Sequence, residues 1–196
     1  MIDSISGVGD TFSVQKVDSM ERIIESIREV SQSDAERQAD RYDMSRSVYK
    51  QFVSEMNDKL VGLRSETSDV ELAQGAVEEI KSGLNRMEEI VTDLNSGVLD
   101  EERRSELTEE LAAQAAGIDK LVDETSVGDR KLLDGGEEAL ADLTTMKGLS
   151  LTGDAAGNIK RAMDDAELAQ DSLDSREERL HKDIAQTTDT LERYQE

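Results

Sequence analysis

The most regular hydrophobic pattern of the chain lies in its middle, where apolar residues recur at alternating spacings of four and three. The positions are Ala73, Val77, Ile80, Leu84, Met87, Val91 and Leu94. Such a repeat places its members on one face of a helix and is typical of helices that pack side by side. It stops at Asn95-Ser96-Gly97, a sequence that favours a left-handed C-terminal cap. The pattern therefore predicts a long helix that ends there.

Two further stretches have helical periodicity. Acidic residues at 100–102 favour the start of a second helix, since they lie at the positive end of its dipole. Its apolar face carries Leu107, Leu111, Gln114, Ile118 and Leu121. The last stretch keeps the same spacing at Ile159, Met163, Ala166, Gln170, Leu173, Glu177, Leu180, Ile184, Thr187, Leu191 and Tyr194. Because the turn between the first two helices is short, we expect them to fold back antiparallel.

The N-terminal part of the chain has a weaker pattern. Gly7 and Gly9 lie among small polar residues, so we expect a mobile arm followed by a helix that begins near Met20. The apolar positions of that helix are Met20, Ile24, Ile27, Tyr42, Tyr49, Phe52, Met56 and Leu63. Polar residues occupy the same face between Ser31 and Asp40, which indicates either a break or a looser partner.

Residues 126–153 contain the glycines and short apolar runs that are typical of turns and small strands. Lys131–Leu133 and Leu149–Leu151 are candidate strands, and we expect them to pair. The chain contains no proline, which favours long uninterrupted helices. The predicted fold class is mainly all-α: an elongated antiparallel bundle or coiled coil of three to four helices, with a small β-hairpin element near residues 126–153.

The charge balance excludes several classes of protein. With 46 acidic and 23 basic residues the chain has a formal net charge of -23, which opposes binding to nucleic acid and to anionic membranes. We interpret this acidity as a source of solubility, suited to a salty environment. No apolar run approaches the roughly 18 residues of a membrane span. We also recognise no cleavable signal peptide in the first residues.

The sequence predicts no catalytic residues, no cofactor site and no metal site. The single histidine, His181, has no second ligand at helical spacing and no partners for a catalytic triad. Cysteine is absent, which excludes disulfides and thiolate ligands. Gly7 and Gly9 lack the third glycine and the lysine of a phosphate-binding loop. We therefore expect a protein that is not an enzyme.

The segment from Ser68 to Gly97 resembles the N-terminal helical region of the bacterial flagellins. The likeness rests on Ala-Val-Glu-Glu-Ile at 76–80, Leu-Asn-Arg-Met-Glu-Glu-Ile at 84–90 and the Asn-Ser-Gly turn. Gly-Ile-Asp-Lys at 117–120 and Thr-Ser-Val-Gly-Asp-Arg-Lys-Leu-Leu at 125–133 follow in the family's order. The C-terminal helix is similar to the long C-terminal helix of the family. The resemblance covers roughly residues 40–194 and is specific from 68 to 133.

The resemblance implies how the chain is organised. Residues 1–18 are expected to form a flexible arm, and residues 19–196 a flagellin-core-like helical rod. Within that rod, residues 19–125 hold the N-side helices, residues 126–153 the β and turn element, and residues 155–195 the C-terminal helix. The variable outer domain of many flagellins is reduced here to about residues 135–153.

The resemblance also implies a function. It points to a structural, flagellin-like component of the bacterial flagellum, secreted by the flagellar export machinery without a cleavable signal and packing lengthwise through its helices. The implied partners are other flagellin or flagellar subunits, including copies of the chain. The implied contact residues are Arg86, Glu89, Ile90 and Glu110, which in the family serve subunit packing and the vertebrate innate flagellin receptor. A hook-filament junction protein is a close variant, because it shares the same core.

Other interpretations of the sequence remain open. The apolar terminal segments that line the filament channel in the family have no recognisable counterpart, and Val30–Arg37 lacks the family's motif. Polymerisation into filaments is therefore not predicted by the resemblance. The alternative is an acidic coiled-coil adaptor or secreted binding protein outside the filament, since acidic heptad helices resemble one another by composition. An enzyme built from carboxylates alone is a distant third.

Overall fold

The computed structural model describes the backbone of residues 9–195 and the side chains of residues 22–194. The helices are α1 (Gly9–Asn95), α2 (Glu101–Glu124) and α3 (Ala155–Gln195). Two short strands, β1 (Ser126–Val127) and β2 (Arg130–Lys131), and a 3-10 turn at Thr144–Met146 lie between α2 and α3. The predicted fold class, mainly helical with a small β element, is confirmed.

The chain divides into two units, Met1–Glu55 and Met56–Glu196. The first unit contains the N-terminal part of α1. The second contains the rest of α1 and all later elements, and in it the three helices pack around one hydrophobic core. No helix in the described part of the chain is long and apolar enough to cross a membrane.

The core of the second unit contains the heptad positions that the sequence predicts on α1, together with neighbours of that repeat such as Val70 and Ile90. Its largest fully buried side chains on that helix are Val70, Ile80, Leu84, Met87 and Ile90. Helix α2 adds Leu107, Leu111, Ile118 and Val122, and α3 adds Ile159, Ala166, Leu173 and Leu180. Each fully buried leucine or isoleucine contributes roughly 1.5–3 kcal/mol relative to exposure. Heptad packing of the three helices is therefore the main source of stability in this unit.

The turn between α1 and α2 has the predicted boundaries. Gly97 has a φ of 72°, the left-handed conformation that favours glycine. The side chain of Asp100 caps α2 by accepting a hydrogen bond of 2.8 Å from the backbone N–H of Arg103. On either side of the turn, Arg86 contacts Glu110 and Gly83 faces Ile118, so α2 runs antiparallel to α1 as predicted.

The N-terminal part of α1 differs from the sequence-based expectation. The helix begins at Gly9 instead of near Met20 and continues without a break through Ser31–Asp40. After Gly9 no glycine occurs before Gly62, and the chain contains no proline. No helix-breaking residue therefore interrupts this part of α1. The polar residues of Ser31–Asp40 therefore do not interrupt the helix. They change only what this face of the helix can pack against. Residues 1–8 of the predicted arm lie outside the described residues.

The predicted pairing of Lys131–Leu133 with Leu149–Leu151 is wrong. Strand β1 pairs antiparallel with β2, with Ser126 opposite Lys131 and Val127 opposite Arg130. This register leaves a loop of only two residues, and a glycine at its first position is the residue that such a turn favours. Leu149–Leu151 forms no strand. Its two leucines pack against the core instead.

The hairpin loop provides a stability prediction. Gly128 has a φ of 60°, so Gly128→Ala is expected to reduce the free energy of unfolding by about 1–2 kcal/mol through backbone strain. Gly117 is a matched control within α2, where an added methyl group meets no atom within 4 Å. Gly117→Ala should raise the free energy of unfolding by about 0.5–1 kcal/mol, because alanine is the better helix former. Urea titrations that shift in the same direction for both variants would contradict the assigned turn.

Candidate interaction site

Three of the four residues implied by the flagellin resemblance form one charged cluster. The guanidinium of Arg86 donates from Nε to Glu110 Oε1 at 2.7 Å and from Nη1 to Glu89 Oε2 at 2.9 Å. Arg86 and Glu89 lie one helical turn apart on α1, whereas Glu110 belongs to α2. Their side chains are 40%, 67% and 36% exposed, so the cluster is accessible to solvent. It also ties the two helices together at the surface.

The cluster forms because α1 and α2 lie close together at Gly83. A Cβ atom at Gly83 would lie 3.5 Å from both the Gln114 amide oxygen and the Ile118 side chain. That close approach is made one turn before Arg86, which brings Glu110 within reach of the guanidinium. The contact between Arg86 and Glu110 therefore requires a small residue at position 83 of α1 and a long arginine one turn later on the same helix.

Ile90 lies apart from the other three residues. Its side chain is fully buried in the core. In this structure Ile90 therefore supports the helix surface from inside, and the accessible part of the implied contact set is Arg86, Glu89 and Glu110. Heptad spacing alone does not show that Ile90 is buried while the charged residues are accessible, because the core face of α1 is wider than the strict four-three repeat.

The electrostatics of the cluster follow from its hydrogen bonds. The bond from Arg86 lowers the pKa of Glu110, partial burial of the carboxylate acts in the opposite direction, and the positive charges of Arg86 and Arg103 lower it further. The bonds to Glu110 and Glu89 raise the pKa of Arg86. Arg86 and Glu110 are therefore both charged at neutral pH. The stabilisation that Glu110 provides is fully present above the pKa that its carboxyl has in the unfolded chain. It is lost as the pH falls through the lower pKa that the carboxyl has in the folded protein.

We expect Arg86→Ala to raise the pKa of Glu110 toward its ordinary value, because the main cause of the shift is removed. Carboxyl chemical shifts followed by NMR during an acid titration measure this directly. Arg193→Ala is a matched control, since Arg193 makes a 2.7 Å ion pair with Asp189 within α3. A Glu110 pKa that is the same in all three proteins would contradict the assigned hydrogen bond.

Arg86 borders two surface grooves. One groove, of about 1110 Å³, runs between α1 and α2 past Gly75, Gly83 and Gly117. The other, of about 710 Å³, lies between α1 and α3 and is polar, with Lys81, Asn85 and Asp174 among its lining residues. Ser82 and Arg86 line both. Ser82 precedes Arg86 by one helical turn, so helical spacing from the arginine was the signal that could have added it to the predicted site.

The sequence did not predict the ion pairs that fix the β element to the helices. Arg130 of β2 contacts Asp69 of α1, which is buried, and Lys147 contacts Asp123 at the end of α2. The hydrogen bond from Lys147 lowers the pKa of Asp123. These partners are 61 and 24 residues apart in the chain, and no local pattern links them. The first pair holds the hairpin against α1, and the second holds the residue after the 3-10 turn against the end of α2.

Within the described residues, no group of three or more histidine, aspartate or glutamate side chains is placed to hold a metal ion. His181 is exposed, with its Nε2 3.4 Å from Glu177 Oε1. The described residues around the Arg86 cluster therefore offer no geometry for metal ligation.

Residues 64–138 match a family model described as the bacterial flagellin N-terminal helical region. No curated protein matches the chain. The matched range contains the heptad part of α1, all of α2 and the β1–β2 hairpin, and with them Arg86, Glu89 and Glu110. It supports assignment to the flagellin family, whose members are structural subunits of the extracellular flagellum that assemble with other flagellin subunits.

Proposed function

We propose that this chain, assigned to the bacterial flagellin family by residues 64–138, is a structural subunit that is exported and packs lengthwise against other flagellin subunits. The observation that carries the proposal is that the family match falls on the heptad part of α1, on α2 and on the hairpin, and so on two of the three helices that build the buried core. Export by the flagellar machinery is part of the proposal, because a flagellar subunit is made inside the cell and used outside it.

The charged cluster is the proposed contact surface. Glu89 is exposed and Arg86 and Glu110 are half-buried, and each keeps hydrogen-bonding capacity beyond the contacts within the cluster. A guanidinium that bridges two carboxylates presents a fixed orientation to a partner, at little cost in side-chain entropy on binding. We propose that these three residues contact neighbouring flagellin subunits and that Ile90 holds the helix beneath them.

The same surface is the proposed contact for the vertebrate innate flagellin receptor. What supports this proposal is the accessibility of Arg86 and Glu110 on adjacent helices. In a binding assay with the purified receptor ectodomain, Arg86→Ala should weaken the complex and Arg193→Ala should not. Binding that is equal for both variants would separate receptor recognition from this surface.

The test of the proposed function is the protein composition of isolated flagella. Flagella sheared from the bacterium that encodes the chain should contain it when examined by quantitative mass spectrometry. Arg86→Ala should lower its amount relative to the main flagellin, whereas Arg193→Ala should leave it unchanged. Retention of the wild-type chain in the cytosol, with normal flagella, would support the adaptor interpretation instead.

A further inference from the structure

The part of α1 in the first unit exposes a row of large apolar side chains. From Arg22 to Gln51 every residue is exposed except Ser33, which is half-buried. Ile23, Ile27, Val30, Met44 and Val48 are between 57% and 73% exposed. Isolated exposed apolar residues are ordinary, but these five follow one helical face. A helix face of this length and composition is suited to another helix.

The spacing defines the face. Ile23, Ile27 and Val30 are separated by four and three residues, and Met44 and Val48 by four. Continuing the four-three repeat between them passes through Asp34, Arg37 and Arg41. The positions that flank this row are Ile24, Ser26, Ser31, Ser33, Gln38, Asp40, Ser45 and Ser47. Small or uncharged flanks permit close approach of a second helix, and most charged residues lie on the opposite side.

The polar centre of the row distinguishes between orientations of a second copy. In a parallel pair, identical positions face each other, so Asp34 would face Asp34 and both Arg37 and Arg41 would face their own copies. Three successive layers would then bring like charges together. In an antiparallel pair, Asp34 faces Arg37 of the second copy twice, once on each side of the symmetry axis. The same register places Ile23 against Val48 and Ile27 against Met44.

Charge also favours this segment as the place where two copies meet. Residues 22–51 contain six acidic and six basic side chains, which cancel. The net charge of -23 therefore comes entirely from other residues. Two copies that approached through the acidic bundle would repel each other, whereas the 22–51 segments meet without a net charge.

We propose that residues 22–51 of two copies pair as an antiparallel coiled coil in the register that brings Asp34 and Arg37 together. The remaining layers are apolar, except where the stem of Arg41 covers Val30 of the second copy and its guanidinium reaches into solvent. This pairing is a property of the isolated chain and does not rest on the proposed flagellar function. Dimerisation in solution and incorporation into flagella are therefore tested by different measurements.

Sedimentation equilibrium of the full chain measures the pairing. The wild type should be a dimer that dissociates on dilution. Asp34→Arg should raise the dimer dissociation constant roughly tenfold, since two attractive contacts become repulsive. Asp34→Arg combined with Arg37→Asp should restore it. Glu36→Arg is the matched control on the outer side of the helix and should leave the constant unchanged. A monomer at all concentrations, or equal constants for the wild type, Asp34→Arg and Glu36→Arg, would overturn the proposal.

Disulfide formation measures the orientation. The chain has no cysteine, so introduced thiols report only their own contacts. Ile23→Cys combined with Val48→Cys should give a covalent dimer on mild oxidation, whereas either substitution alone should give none. Positions 23 and 48 are roughly 37 Å apart along one helix, which prevents a bond within one chain. A covalent dimer from Ile23→Cys alone would show a parallel pair and overturn the proposed register.

Discussion

Leu173→Ala is expected to lower the free energy of unfolding by about 3 kcal/mol, the middle of the range for leucine truncation in a packed core. Leu173 is fully buried on α3, at the heptad position where that helix faces the other two. The truncation removes apolar contact area and leaves a cavity that the three surrounding helices cannot close without shifting. Urea unfolding followed by circular dichroism gives the value.

Leu168→Ala is the matched control for this change. Leu168 lies five residues earlier on the same helix and is 68% exposed. The same substitution there should change the free energy of unfolding by no more than about 0.5 kcal/mol. Equal losses for Leu168→Ala and Leu173→Ala would mean that α3 does not pack through the heptad face seen in the structure.

The second large effect is expected from Arg130→Ala, which removes the partner of Asp69. The Asp69 side chain is 12% exposed, so its carboxylate would be left with little access to water. Breaking a fully buried ion pair costs about 3–5 kcal/mol, and the partial exposure of Arg130 reduces the expected loss to about 2 kcal/mol. The hairpin should lose its fixed position on α1, seen as faster amide exchange in residues 126–131.

Two further variants separate the cost of the buried charge from the loss of the arginine. Arg103→Ala removes an exposed pair with Glu106, whose side chains are 52% and 58% exposed, and should cost less than about 1 kcal/mol. Asp69→Asn in the Arg130→Ala background should recover part of the stability, since no charge is then left buried. If the Arg130→Ala variant is as stable as the Arg103→Ala variant, the ion pair between Arg130 and Asp69 does not hold the hairpin on α1.

The helices of the second unit could be predicted from the sequence because each one carries its own periodic signal. The repeat from Ala73 to Leu94 contains enough consecutive four-three steps to define a face, and that face is the core. The C-terminus of α1 and the N-terminus of α2 were equally predictable. Gly97 has a strong local preference for a C-terminal cap, and Asp100 has one for an N-terminal cap. Local chemistry was sufficient in each case.

The β element was not predictable in the same way. The short runs at Lys131–Leu133 and Leu149–Leu151 look alike in sequence, and nothing local shows that Leu132 and Leu133 enter the core. Their burial depends on contacts with helices that are distant in the chain. The Gly128-Asp129 pair was the available signal, because a two-residue loop that starts with glycine favours a tight hairpin.

The candidate site shows the same division. The resemblance pointed to Arg86, Glu89, Ile90 and Glu110, and the structure joins the three charged residues while placing Ile90 in the core. The contact between Arg86 and Glu110 depends on how closely α2 approaches α1 at Gly83. That distance depends on how the two helices pack. A heptad pattern indicates that they pack side by side but does not give the distance between them.

Immunogold electron microscopy of the bacterium that encodes this chain tests most directly whether it is a flagellar subunit. Antibodies against the α3 segment, applied to intact cells and to sheared flagella, avoid the region that matches the family model and so distinguish this chain from the main flagellin. Gold particles along the flagella or at their base, absent from a strain that lacks the chain, are the predicted result. Label confined to the cell interior while flagella remain unlabelled would contradict the assignment.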